Sequence, residues 1–269
     1  MNIKPIIATM RRSEISELNL ETKNINSALV INQNTKKTKK VKINNYEMIT
    51  YVEKGLAKSR NRAIENLNGD EIAIVTDDDV SFISQYETLI KKAYGILKDA
   101  DAIVFMSKDD NGSSRRKYCK KIKRLNKYNI LSVNSIEITF KSKSILENNI
   151  RFDEDFGLGS IYGSGEENIF LMDCLKKGLK IYFYPTYINI HPKESTGFTW
   201  NEKDVFDKGA LFNRLYPIMS YFISIPILFL KRNQWKNNMK SKDFISNYYR
   251  GLLEYRRKGD HYENRENKK

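Results

Sequence analysis

Cysteine is nearly missing from this chain: Cys119 and Cys174 are the only two in 269 residues, and no C-x-x-C pair occurs. That argues against a disulfide framework and against a zinc site built on paired cysteines, and it makes a reducing compartment the expected setting. Histidine is equally scarce, with His191 and His261. Five prolines and thirteen glycines exclude fibrous and low-complexity classes. Long hydrophobic runs are also wanting. The charge-free stretch Leu215–Leu230 has 16 residues, below the ~20 that a bilayer-spanning helix needs, and Pro217 and Pro226 interrupt it. The opening residues hold no apolar region long enough for a secretion signal, and Arg11-Arg12 follow them. Acids are in deficit, 33 against 47 Lys+Arg, for a formal net charge of +14. Such a surplus favours anionic partners: nucleic acid, acidic lipid head groups or phosphorylated substrates.

What is present suffices for a folded core. Apolar residues make up 40% and charged residues 30%, which fits one large domain or two small ones. Strand-like and helix-like segments alternate through the first two-thirds. Pro5–Met10, Ala28–Ile31, Met48–Val52, Glu71–Thr76 and Ala102–Met106 read as strands. Ser13–Lys23, Gly55–Leu67, Tyr86–Leu97 and Asn168–Lys177 read as helices, the last stopped by Gly178. Ile130–Phe140 has β composition, and Leu179–Tyr184 and Thr186–Ile190 read as two strands flanking Pro185. A basic loop is expected over Thr35–Lys42 and a mobile basic segment over Ser107–Asn129. This alternation predicts an α/β fold with parallel crossovers. From Glu202 onward the chain turns helical, basic and Tyr-rich, which predicts a domain over 1–200 and a helical extension over 201–269.

Three features carry chemistry. The strand Ile72–Thr76 ends in Asp77-Asp78-Asp79. Side chains alternate along a strand, so Asp77 and Asp79 are expected on one side and Asp78 on the other. Ligands of open α/β sheets bind beyond the carboxyl ends of the strands, and paired carboxylates there suit Mg²⁺ or Mn²⁺ on a nucleotide's phosphates. The bland alternative is a solvated acidic turn. The second feature is Gly157-Leu-Gly159-Ser-Ile-Tyr-Gly163-Ser-Gly165-Glu166-Glu167, a glycine-rich loop that delivers two glutamates to the start of a helix. Ser164-x-x-Glu167 fits a capping box, yet a carboxylate held there can also serve as a general base. The third is His191, which ends a strand ahead of Pro192.

In this order the pieces resemble family-2 glycosyltransferases of the GT-A fold. The matching residues are Pro5–Thr9, the run Gly55-Leu-Ala-Lys-Ser-Arg60-Asn61-Arg-Ala-Ile64, Asp77-Asp78-Asp79 as the D-x-D motif, Glu166-Glu167 in place of the usual Glu-Asp, and His191. They cover roughly residues 3–200. The resemblance implies a Rossmann-like, mixed and mostly parallel sheet flanked by helices. It implies a nucleoside-diphosphate sugar donor, a UDP-sugar before others, and Mn²⁺ or Mg²⁺ held by Asp77, Asp79 and His191. Thr9, Asn32, Arg60, Asp77 and Asp78 would meet the nucleotide. Glu167 would be the base, with Glu166 as runner-up, in an inverting transfer to a hydroxyl of a glycan or polyprenyl-diphosphate-linked acceptor in surface polysaccharide synthesis. One departure is Asn32-Gln33-Asn34, where the family usually ends its second strand in an aspartate. An amide there can still read a uracil edge.

Leu211–Leu230, followed by Lys231-Arg232 and Trp235-Lys236, admits three readings: a helix packed on the domain, a contact with an anionic membrane surface, or a transmembrane segment. The expected location is cytoplasmic, including the inner face of the cell membrane. Two alternatives from other classes are a basic nucleic-acid-binding protein and a metal-dependent nucleotidyltransferase. The basic residues are dispersed and no helix-turn-helix, RRM or zinc-finger pattern is present, so no nucleic-acid partner is expected.

Overall fold

The computed structural model describes residues 1–34, 37–114, 116–192 and 199–266, with side chains as far as residue 258. Thr35, Lys36, Arg115 and the side chain of His261, named above, lie outside the described residues. The chain divides into two compact units, Met1–Glu154 with Glu166–Lys193, and Asp155–Gly165 with Glu194–Lys269. The glycine-rich loop belongs to the second unit.

The first unit is a ten-stranded mixed sheet. Its strands are β1 (Asn2–Met10), β2 (Ala28–Gln33), β3 (Lys39–Ile43), β4 (Tyr46–Tyr51), β5 (Glu71–Asp77), β6 (Ser81–Phe82), β7 (Ala102–Lys108), β8 (Lys123–Arg124), β9 (Ile138–Lys141) and β10 (Ile181–Ile190). The order is β3-β4-β2-β1-β5-β9-β7-β10-β6, with β8 also on β10. The long pairings β2–β4, β1–β2, β1–β5 and β7–β10 are parallel, and those of β3, β6, β8 and β9 are antiparallel. Helices α1 (Leu56–Glu65), α2 (Tyr86–Ile96), α3 (Ser142–Glu147) and α4 (Glu166–Lys176) flank the sheet. Runs such as Ile72-Ala-Ile-Val75 are buried on both faces, as central parallel strands require.

Four local expectations change. The basic stretch after β2 is not all loop, because Lys39–Ile43 pairs with β4 as an edge strand, a position where lysines deter further pairing. Ser13–Lys23 holds one 3₁₀ turn, Ile15–Leu18, in place of an α-helix. Among its described residues, Ser107–Asn129 is anchored at Tyr118. Tyr118 donates from its hydroxyl to Glu137 at 2.6 Å, accepts from the Ser107 N–H at 3.1 Å, and lies under the Arg116 guanidinium. The two strands flanking Pro185 are one continuous β10, whose register against β7 shifts between Phe183 and Tyr187. A proline inside a strand is tolerated at such an irregularity because it has no N–H to give the ladder.

The second unit contains α5 (Glu202–Leu215), α6 (Ser220–Leu230), α7 (Arg232–Trp235) and α8 (Ser241–Glu266). Trp200, Val205, Trp235, Phe244, Tyr248 and Leu252 form its core. Helices α5 and α8 touch backbone to backbone at Gly209 and Gly251. A Cβ on Gly209 would stand 2.0 Å from the Tyr248 carbonyl oxygen, and one on Gly251 would stand 1.9 Å from that of Phe206. Alanine is normally the better helix former by about 1 kcal/mol. Here the helices would have to separate, so Gly209→Ala is expected to lower stability by about 1–3 kcal/mol. Denaturant unfolding checks this, and a variant as stable as wild type would mean that the close crossing does not form.

Candidate active site

β5 ends at Asp77, and the chain then turns, with the Val80 N–H donating to the Asp77 carbonyl at 3.3 Å. Strand alternation therefore stops at Asp77, and the three aspartates fan out to three different partners. Asp77 Oδ1 accepts from Arg60 Nη2 at 3.2 Å. Asp78 Oδ2 accepts from Thr9 Oγ1 at 2.6 Å and from Arg12 Nη2 at 3.0 Å. The Asp78 carbonyl accepts from Lys23 Nζ at 2.5 Å. Asp79 Oδ2 lies 3.5 Å from His191 Nε2. The expectation that Asp77 and Asp79 share one side is corrected accordingly. Among the described residues no three His, Cys, Asp or Glu side chains converge as a cation cage. The structure does bring Asp79 and His191 together, from the turn after β5 and the end of β10.

Arg60 is the pivot of the site. It lies on α1 and is only 2% exposed. The helix is set by Gly55 at φ 127°, whose N–H donates to the Gln33 side chain at 3.0 Å while its carbonyl accepts from the same amide at 2.9 Å. From there Arg60 reaches three groups. Nη1 donates to Glu166 Oε1 at 2.8 Å, and Nη2 donates to Asp77 and, at 3.0 Å, to Ser135 Oγ. Its guanidinium also stands 5.5 Å from the Phe152 ring centroid. Burial alone would disfavour the charge, but Asp77, Glu166 and Glu167 outweigh it and hold the Arg60 pKa above its ordinary value. Next to it, Asn61 donates to the Phe152 carbonyl at 2.9 Å and accepts from the Phe152 N–H at 2.8 Å, which fixes the segment leading toward the acidic helix.

Arg60, expected at the nucleotide, is buried beneath the acids, and its forked end is occupied by them. Asn32, expected to read a base, is fully buried; its Nδ2 donates to the Arg12 carbonyl and to Thr50 Oγ1, and its Oδ1 accepts from the Arg12 N–H. These bonds staple the turn after β1. Thr9 is buried and committed to Asp78. Arg12, Lys23 and Ser135 were not legible as site residues; the only hint was the Arg11-Arg12 pair directly after the first strand.

Glu166 is the first residue of α4 and is buried against Arg60. Gly165, at φ 106°, therefore precedes the helix, and the Ser164–Glu167 capping box is one residue out of register with the observed start. Glu167 follows at the second helical position and is partly exposed. The two acids differ in chemistry. Glu166 is locked in a buried ion pair with Arg60. Glu167 shares the guanidinium's field from a partly exposed position in the first turn of the helix.

No protein-family model and no curated protein matches the sequence. Solved structures do match. Residues 1–349 of S. aureus TarS in complex with UDP-GlcNAc superpose with a TM-score of 0.56 at 16% identity, over 96% of this chain and 92% of that one. A second structure of S. aureus TarS 1–349 gives a TM-score of 0.52 at 16% identity, over 95% and 83%. A structure titled S. aureus TarS gives 0.52 at 18% identity, over 85% of this chain and 40% of that one. The chain has the GT-A fold of these glycosyltransferases.

Proposed function

We propose that the protein is a glycosyltransferase that moves a sugar from a nucleoside-diphosphate donor to an acceptor hydroxyl with inversion, in the assembly of a surface polysaccharide or similar glycan. The observation that carries this reading is the convergence of strand-end aspartates, Arg60 and the acidic pair of α4 on a GT-A sheet. One solved neighbour was captured with UDP-GlcNAc, which supports a UDP-sugar as the donor class.

The residues fit a divalent cation at Asp79 and His191, a hard oxygen and an imidazole nitrogen facing one another, with the remaining positions left for diphosphate oxygens and water. Mn²⁺ or Mg²⁺ held there would offset the charge that develops on the departing nucleoside diphosphate. Asp77 stays on Arg60 and acts on the site through that guanidinium. Asp78, with Thr9, Arg12 and Lys23, shapes the turn that presents Asp79. Glu167 takes the proton of the acceptor hydroxyl as the bond to the sugar forms. Glu166 and Arg60 hold the start of α4 and keep that carboxylate in place. No covalent intermediate is needed, because one base and a stabilised leaving group complete an inverting displacement.

The reading extends to an acceptor carried on a polyprenyl diphosphate or a glycan at the membrane. Incubating the protein and Mn²⁺ with labelled UDP-sugars and GDP-sugars, with a lipid extract as acceptor, tests it. Label should pass from one donor into the lipid or glycan fraction, and an Asp79→Asn protein should lose this transfer by at least about 10²-fold while folding normally. A folded Asp79→Asn protein that turns over like wild type would remove the cation from the reading. Failure of every nucleotide sugar to bind or react would remove the reading itself.

A further inference from the structure

Helix α6 is apolar on its outward side as well as its inward one. A helix lying on a water-soluble domain turns its apolar side inward and its polar side to solvent. Here Ser220 and Ser224 are completely buried, while Ile218 in the preceding turn is 81% exposed, Phe222 70%, Phe229 69% and Leu230 81%. Together with Ile225 these residues recur at helical spacing and form one continuous apolar stripe. The inward serines are not accidental. Ser220 Oγ accepts from Asn213 Nδ2 and donates to the Pro217 carbonyl, and the Ser220 carbonyl accepts from the Tyr248 hydroxyl at 2.8 Å. Tyr221, Ile227 and Leu228 of the same helix pack against the core of the second unit, so α6 is held with Ile218, Phe222, Ile225, Phe229 and Leu230 outward, a patch of the kind that soluble monomers seldom leave uncovered.

The charge around the stripe identifies what covers it. From Lys208 to Lys242 the sequence contains no Asp or Glu, and Lys231, Arg232 and Lys236 are exposed just beyond the stripe's end. A second copy of the chain would bring these like charges together across a two-fold contact. An anionic lipid surface instead offers hydrocarbon to the stripe and phosphate to the cations. No described helix is long and apolar enough to cross a bilayer, so contact is made along the helix rather than through the membrane. We infer that the outward face of α6, with the cations that follow it, docks the protein on an anionic membrane surface. This goes beyond the transfer reaction and does not depend on it.

The test is sedimentation of the full chain with vesicles of phosphatidylcholine alone or with one-third phosphatidylglycerol. Wild type should bind the anionic vesicles, bind the neutral ones at least about tenfold more weakly, and dissociate as salt rises. The substitutions Phe222→Ser and Phe229→Ser together should weaken binding by about tenfold or more, and Lys231→Gln with Arg232→Gln by about tenfold again. Because these side chains are exposed, the melting temperature should stay near wild type. A Phe222→Trp protein gives a second readout, since its fluorescence should be quenched by lipids brominated on their chains. Wild type left in the supernatant at low salt, or an unquenched Phe222→Trp protein, overturns the inference. So does a lipid-free dimer that the two Phe substitutions disperse, which would make the stripe a protein interface.

Discussion

Glu167→Gln is expected to lower kcat by about 10²–10⁴-fold, the usual loss when a positioned general base is removed, with donor affinity close to wild type. The substitution keeps the size of the side chain and its ability to accept a hydrogen bond, but an amide cannot take the acceptor's proton. Because the proton moves only in the transition state, the loss belongs in kcat rather than in donor binding. Glu166→Gln should behave differently. It removes one partner of a buried ion pair with Arg60, so its first effect is on stability, and its turnover per folded molecule should fall less. Measuring kcat, donor affinity and melting temperature for both variants separates the two roles. If Glu166→Gln abolishes turnover while Glu167→Gln does not, the roles are exchanged. If Glu167→Gln melts early but turns over normally, Glu167 serves the helix start alone.

Arg60→Met should destabilise the first unit by about 3–5 kcal/mol. It leaves Glu166 buried without its counter-charge, and an uncompensated buried charge costs more than the pair ever contributed. The exposed side of Asp77 limits its share of the cost. Adding Glu166→Gln to Arg60→Met should recover part of the loss, since the orphaned charge is removed. Arg60→Lys should not rescue, because a single ammonium cannot serve Glu166, Asp77 and Ser135 at once. Denaturant titrations check all three statements. An Arg60→Met protein as stable as wild type would mean that the ion pair does not hold the site.

The strands were legible because each is a short, β-branched run bounded by turn residues, and Glu71–Asp77 needs little beyond its own composition. The acids at its end and those opening α4 were legible because charge at the mouth of a buried element is conspicuous. What sequence could not supply was direction. Alternation placed Asp77 beside Asp79, but the strand stops at Asp77 and the turn re-aims the next two side chains. Arg60 was expected at the nucleotide, and its burial depends on groups 17, 75 and 106 positions away in the chain. Asn32 looked like a ligand-reading amide because its bonds to Arg12, across a tight turn, have no local signature. The apolar stretch of the tail was visible in the sequence, whereas its outward orientation follows from tertiary bonds to two serines.

The central claim, that the turn after β5 and His191 form a cation-assisted nucleoside-diphosphate site, is tested most directly by calorimetric titration of UDP into the purified protein with and without Mn²⁺. The account predicts that Mn²⁺ strengthens UDP binding by about tenfold or more and that Asp79→Asn abolishes this gain in a protein that still melts like wild type. Equal UDP affinity with and without Mn²⁺, or a gain that survives in Asp79→Asn, would contradict it.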